Sequence, residues 1–185
     1  MKKNCNGVAY VAMMGEIDVK AAESLIQTIS ALPEHTHTVY LLFSTIGGSV
    51  CHGFAIYYFL RALPYKIITH NIGNVDSIGN IIFLAGEERY STKHSLFLCH
   101  RVKVEHRMRM LDLSIAQERL NGIEKDEERI REIFRTHTRI SDEDLNSFFD
   151  IGEYKTAEMA LQSGMIHDIR NLPCLKKVSV IEICK

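Results

Sequence analysis

The chain has 185 residues, 46% of them apolar and 24% charged, with 22 Lys and Arg against 23 Asp and Glu. This is the composition of a single folded domain long enough to bury a core, and it argues against disorder, collagen-like sequence and low complexity. A net charge of −1 gives no global field for nucleic acid or anionic lipid, so neither partner is expected.

Five cysteines, Cys5, Cys51, Cys99, Cys174 and Cys184, are odd in number, widely spaced and without a CxxC. Free thiols in a reducing, cytoplasmic setting fit better than a disulfide framework or a zinc ribbon. Val8 to Met14 is too short for a signal h-region and is followed by Glu16 and Asp18, and no apolar run is long enough to span a membrane.

In chain order, Val8 to Met14 predicts a buried strand. Asp18 caps a helix from Val19 or Lys20 whose apolar positions Ala22, Leu25, Ile26 and Ile29 fall at helical spacing, with Pro33 closing the segment. Val39 to Phe43 predicts a second strand, followed by Gly47-Gly48 and a helix from Ser49 to Ala62. Lys66 to His70 predicts a third strand, Asn71 to Asp76 a polar turn, and Ser77 to Ala85 a third helix stopped by Gly86. Tyr90 and Ser95 to Cys99 suggest further strand. A long amphipathic helix is expected from Met108 to Thr136, with Leu113, Ala116, Leu120, Ile123, Ile130 and Phe134 as its stripe and Lys125 to Arg131 as its solvated face. Residues 137–153 read as weakly structured, Thr156 to Ser163 as a short helix, and Met165 to Ile169 and Val178 to Ile183 as late strands. Apolar strands alternating with helices predict an α/β domain with its sheet covered on both faces.

Two strand-to-helix junctions could carry chemistry. Gly47-Gly48 lets the backbone turn tightly and present N–H groups to an anion or a developing oxyanion. Gly73 to Gly79 places the Ser77 hydroxyl at a helix start, where it could be a nucleophile or simply an N-cap. His100 ends an apolar strand, where open α/β sheets carry their active sites, or where an edge histidine is merely hydrogen-bonded. His35-Thr36-His37 has no further ligands nearby, and no metal or cofactor is expected.

Taken together, these segments resemble the Clp protease proteolytic subunit family, serine peptidases of the wider crotonase-like fold. The family's Ser-Pro-Gly-Gly-Ser motif is similar to Ser44-Thr45-Ile46-Gly47-Gly48-Ser49. Its Ala-Ser-Met-Gly segment resembles Asp76-Ser77-Ile78-Gly79, and its His-Gln-Pro resembles His100-Arg101-Val102. Met14 to Asp18, Leu84-Ala85-Gly86, His137-Thr138, Tyr154 to Ala160 and Ser163 to Ile166 match further, so the likeness runs over roughly residues 8–170.

The resemblance implies stacked β-β-α superhelical units. It also implies one domain, with a head over about residues 1–100 and 154–185 and a handle helix over about 103–137 that helps pair two rings. It implies a serine endopeptidase with Ser77 as nucleophile, His100 as base, and the backbone N–H groups of Gly48 and Ile78 as oxyanion hole. Small or unfolded polypeptides would be cut inside a homo-oligomeric chamber.

The family's third triad member, an Asp before the aromatic matched by Tyr154, falls at Gly152 in an ungapped alignment from His137, and Asp150 is the carboxylate taken for that role. Asp76, Ile46 and Val102 also depart from the family pattern. The segment with which the family meets its AAA+ unfoldase is not matched, which leaves that partner open. A catalytically weak or inactive scaffold subunit and a crotonase-type acyl-CoA enzyme are the alternatives.

Overall fold

The computed structural model describes residues 7–103, 112–173 and 180–183. Strand β1 (Val8–Ile17) leads to helix α1 (Val19–Ser30), where the Asp18 carboxylate accepts from Ala21 N at 2.8 Å. α1 buries Ala21, Ala22, Leu25 and Ile29, and complete burial of Leu25 and Ile29 stabilises by roughly 1.5–3 kcal/mol each. β2 (Thr38–Gly48) and α2 (Val50–Ala62) repeat the unit, with Ser49 as N-cap.

β3 runs over Lys66–Asp76, α3 over Gly79–Leu84, β4 over Glu88–Ser91 and β5 over Leu96–Leu98. The long α4 (Leu113–His137) follows, then α5 (Asp142–Ile151), β6 (Tyr154–Thr156), α6 (Ala157–Gln162), β7 (Asp168–Ile169) and β8 (Val180–Ile183). The expected starts of the long helix near Met108 and of the last strand at Val178 lie outside the described residues. No helix among the described residues is long and apolar enough to cross a membrane.

Among the described residues, one eight-stranded sheet runs β6-β5-β3-β2-β1-β8, with β4 beside β3 and β7 beside β4. Every pairing is parallel except β5 with β6. Parallel strands must be covered on both faces, which is why Val11, Leu41, Phe43, Ile67 and Val75 join one buried core with the helices.

Three strands are longer than their apolar runs suggested, β1 reaching Ile17 where Met14 was the expected end. β2 continues through Gly47 and Gly48, which pair with Glu16 and Ile17. Asn71 to Asp76, expected as a turn, is the second half of β3. This strand serves two neighbours in succession, β4 along Ile68–Asn71 and β5 along Asn74–Asp76. The Asn71 side chain supports the sidestep by accepting from Gly73 N at 3.0 Å and donating to Leu96 O at 2.8 Å.

The segment expected to be weakly structured contains α5, with Ser141 capping Asp144 N, three acidic residues in the first turn, and Leu145, Phe148 and Phe149 buried. On α4 only Glu127, Ile130, Ile133 and Phe134 are buried, while Leu113 is 85% exposed. The anticipated stripe is therefore covered at its C-terminal half alone. Glu127, assigned to the solvated face, is buried because it receives Arg101, Arg131 and the Val102 N–H.

Burial pushes His70, His137 and His167 below the ordinary imidazole value, His137 from 6.5 to about 4. Such a group binds fewer protons folded than unfolded, so its contribution is complete above pH 6.5 and is lost as pH falls towards 4. The urea midpoint is expected to drop between pH 7 and pH 5, with a shallower drop in His137→Gln.

Candidate active site

β3 ends at Asp76, and the chain reverses at Ser77, the one residue other than glycine with positive φ (55°) among the described residues. A left-handed non-glycine residue costs roughly 1–2 kcal/mol. It is held there because Ser77 N donates to Leu98 O at 2.7 Å and Asn80 Nδ2 donates to both Ser77 O and Leu98 O. Ser77 is not the helix cap that one reading of the sequence allowed. The N-cap of α3 is Ile78, with no side-chain bond, so the Ser77 hydroxyl is not used by the helix. A serine projected from a strained strand-to-helix reversal is the geometry that exposes a nucleophilic oxygen.

The first glycine junction faces the second. A Cβ added to Gly47 would lie 2.6 Å from Ser77 Cβ, and one added to Gly79 would lie 2.3 Å from Thr45 Cγ2. Thr45 fixes the glycine turn from below: its hydroxyl donates to Gly15 O at 2.6 Å and accepts from Gly47 N at 3.0 Å. Gly48, Ser77, Ile78 and His100, from three separate elements, line one cavity of about 170 Å³. Ile46, Val50, Val102, Ile130 and Phe149 supply its apolar wall, and Lys103 adds a cation.

Asp150, the carboxylate taken from the sequence for the third triad role, lies against Arg101. His100 Nδ1 lies 2.7 Å from the Arg101 carbonyl oxygen, which can only accept, so Nδ1 donates and Nε2 is left as the acceptor a general base requires. Asp150 Oδ1 instead pairs with Arg101 Nη2 at 2.6 Å, because the guanidinium offers a charged fork where the imidazole offers a single N–H. Arg101 Nη1 reaches Glu127 at 3.2 Å, and Glu127 also accepts from Val102 N at 3.3 Å. The segment after His100 is thus gripped by α4 on one side and α5 on the other. Sequence spacing could not reveal this grip, because its acceptor for His100 is a backbone carbonyl and Glu127 looked like an ordinary surface charge.

Cys99 lines the same cavity, but burial pushes its thiol well up, which removes it as a competing nucleophile at neutral pH. Asp76 is also buried, and burial raises its carboxyl while His100 opposes the rise.

The family model described as Clp protease matches residues 4–172. The chain belongs to the Clp protease family. Among solved structures, a point mutant of ClpP1 from Listeria monocytogenes superposes with a TM-score of 0.78 at 21% identity, covering 88% of this chain and 91% of that one. The long α4 and the mixed sheet are therefore a ClpP-like fold, as the sequence resemblance implied.

Within a Clp-type site, a true third triad member would cost about four decades in rate when lost. Arg101 and Asp150 form a pair with side chains 58% and 50% exposed, and such pairs are worth about 0–1 kcal/mol. Asp150→Asn is accordingly expected to keep the second-order rate of labelling by a fluorophosphonate within about fivefold of wild type.

Proposed function

We propose that the protein is a serine endopeptidase of Clp type. Ser77 Oγ attacks the carbonyl carbon of a peptide bond, and its proton passes to His100 Nε2. The oxyanion that forms is received by the backbone N–H groups of Gly48 and Ile78. His100 then gives the proton to the leaving amine, the acyl-serine forms, and a water deprotonated by His100 releases the acid and restores the hydroxyl. The observation that carries this reading is the left-handed Ser77, whose uncommitted hydroxyl opens on the same cavity as His100 and the two backbone donors.

The apolar wall favours a hydrophobic substrate side chain next to the scissile bond, and a cavity of about 170 Å³ suits a chain segment rather than a folded domain. Extended segments of small or unfolded polypeptides meet both conditions, whereas a folded surface would not enter.

We infer a homo-oligomeric chamber as the setting. Leu113 and Leu120 on α4, with Ile151 and Tyr154 beyond it, are large apolar side chains exposed on the single chain, and association would cover them. Sedimentation of the purified chain tests the assembly.

Incubation with a fluorophosphonate followed by peptide mapping tests the chemistry. One adduct on Ser77, together with cleavage of a library of unstructured peptides after apolar residues, is the expected result. A protein that neither labels nor cleaves between pH 6 and 9 is a scaffold subunit, and tight binding of coenzyme A without labelling would point to acyl-CoA chemistry.

A further inference from the structure

Asp76 stands immediately before the proposed nucleophile, is 8% exposed, and has a fully enclosed Oδ1 with no hydrogen-bond partner among the described residues. An unpartnered buried carboxylate costs stability and calls for a functional reason. The register supplies one. Asp76 pairs with Leu98, the last residue of β5, and His100 stands two residues beyond that strand end, the spacing that returns a side chain to the same face where the chain stays extended. Burial agrees: Cys99 is buried between the half-buried Leu98 and His100. The Ser77 N–H bond to Leu98 O at 2.7 Å locks the two strand ends together.

We propose that Asp76, and not Asp150, is the carboxylate that stabilises the His100 imidazolium as Ser77 loses its proton. The proposal rests on the peptidase reading above. Asp76 takes no proton. The Ser77 proton resides on His100 Nε2, His100 Nδ1 keeps its bond to the Arg101 carbonyl, and the fixed negative charge of Asp76 offsets the positive charge that appears on the ring. The orienting and charge-stabilising duties of a third triad member are thereby divided between a backbone carbonyl and a side chain. Asp76 is a positioning residue in this scheme, since it acts through His100.

Among the described residues, the charged and titratable groups that act on Asp76 are His100 and Cys99. His100 draws its carboxyl towards the ionised form against burial, the Cys99 thiol feels its charge, and Lys155 on β6 acts on Cys99 in turn. From α3 the neighbour four residues on is Asn80, whose Nδ2 is spent on Ser77 O and Leu98 O and whose buried Oδ1, an acceptor, is likewise unpartnered among the described residues.

The test uses the full chain. Carboxyl-carbon NMR of Asp76 in Ser77→Ala follows its titration without turnover. A midpoint above the ordinary Asp value is expected. It should move further up in His100→Gln, where the favourable cation is gone, and stay in place in Asp150→Asn.

A second measurement separates function from fold. The raised Asp76 carboxyl binds its proton more tightly folded than unfolded, so ionising it costs stability above that midpoint and nothing below the ordinary value of 3.8. Asp76→Asn should therefore melt higher than wild type at pH 8, with the gain fading towards pH 4, while Ser77 labelling slows by about 10- to 100-fold. An Asp76 midpoint indifferent to His100→Gln, a carboxyl still protonated at the pH of fastest labelling, or Asp76→Asn labelling at the wild-type rate would each overturn the proposal. A wild type that does not label at all removes the peptidase reading instead, and the titration still decides whether Asp76 and His100 are coupled.

Discussion

Ser77→Ala is expected to abolish fluorophosphonate labelling and to lower peptide hydrolysis by about four decades or more, with the fold intact. The size of the effect follows from the site's construction. Two backbone N–H groups and one imidazole can polarise a carbonyl and a water, but without the hydroxyl there is no acyl intermediate to divide the reaction into two easier steps. The strained backbone makes a second outcome diagnostic. Ser77 holds φ 55°, so Ser77→Gly removes a penalty of roughly 1–2 kcal/mol, offset in part by the greater freedom of glycine in the unfolded chain. A more stable, inactive Ser77→Gly, measured by chemical denaturation beside the activity assay, would mean that the strain is retained for the exposed hydroxyl. His100→Ala should cost two to four decades while leaving the melting temperature within a few degrees.

Gly48→Ala should damage both the fold and the chemistry. Gly48 has φ +148°, and an added Cβ would lie 2.3 Å from the Ile17 carbonyl oxygen and 2.9 Å from the Ile17 carbonyl carbon. These are backbone atoms of β1, which is paired to β2 at this point and whose Ile17 O also accepts from Ser49 N at 2.8 Å. Neither strand can yield without breaking that ladder and the cap of α2. Strain and overpacking together predict a loss of about 3 kcal/mol, and, with residue 48 as an oxyanion donor in the proposed mechanism, a loss of labelling with it. Gly122→Ala is the control. Gly122 lies in α4 with nothing within 4 Å of an added Cβ, so the same substitution should stabilise by about 0.5–1 kcal/mol.

The elements that sequence reading located best are those whose signal is local. Asp18 before α1 and Ser49 before α2 mark their helices through side-chain oxygens that satisfy exposed N–H groups. The apolar runs of β1 and β2 mark strands covered on both faces. Hydrophobicity failed where a strand is held by polar groups. Asn71 to Asp76 contains Asn, Gly and Asp, yet Asn71 bonds its own chain and β5, and the strand persists to the edge of the site.

α5 lies inside the segment that reads as weakly structured, and it opens on three acids. They are favourable at a helix N-terminus, and the Phe148 and Phe149 rings pack against Phe134 of α4. Ser77, His100, Gly48 and Ile78, which the family resemblance singles out, line one cavity at the ends of neighbouring strands. Asp150 could not be judged from that resemblance. Its partner depends on Arg101, and whether a carboxylate answers a guanidinium or an imidazole is decided by side-chain reach in three dimensions.

The central claim is that one hydroxyl, one ring and two backbone donors surround a single reacting carbon. A crystal structure of the protein inactivated by a fluorophosphonate measures this directly. The phosphorus should be bonded to Ser77 Oγ, its oxygen should lie about 2.7–3.1 Å from the N–H nitrogens of Gly48 and Ile78, and the His100 ring should sit beside the leaving-group side. Phosphorus on another residue, or an adduct whose oxygen points away from both backbone donors with His100 turned elsewhere, would contradict the account.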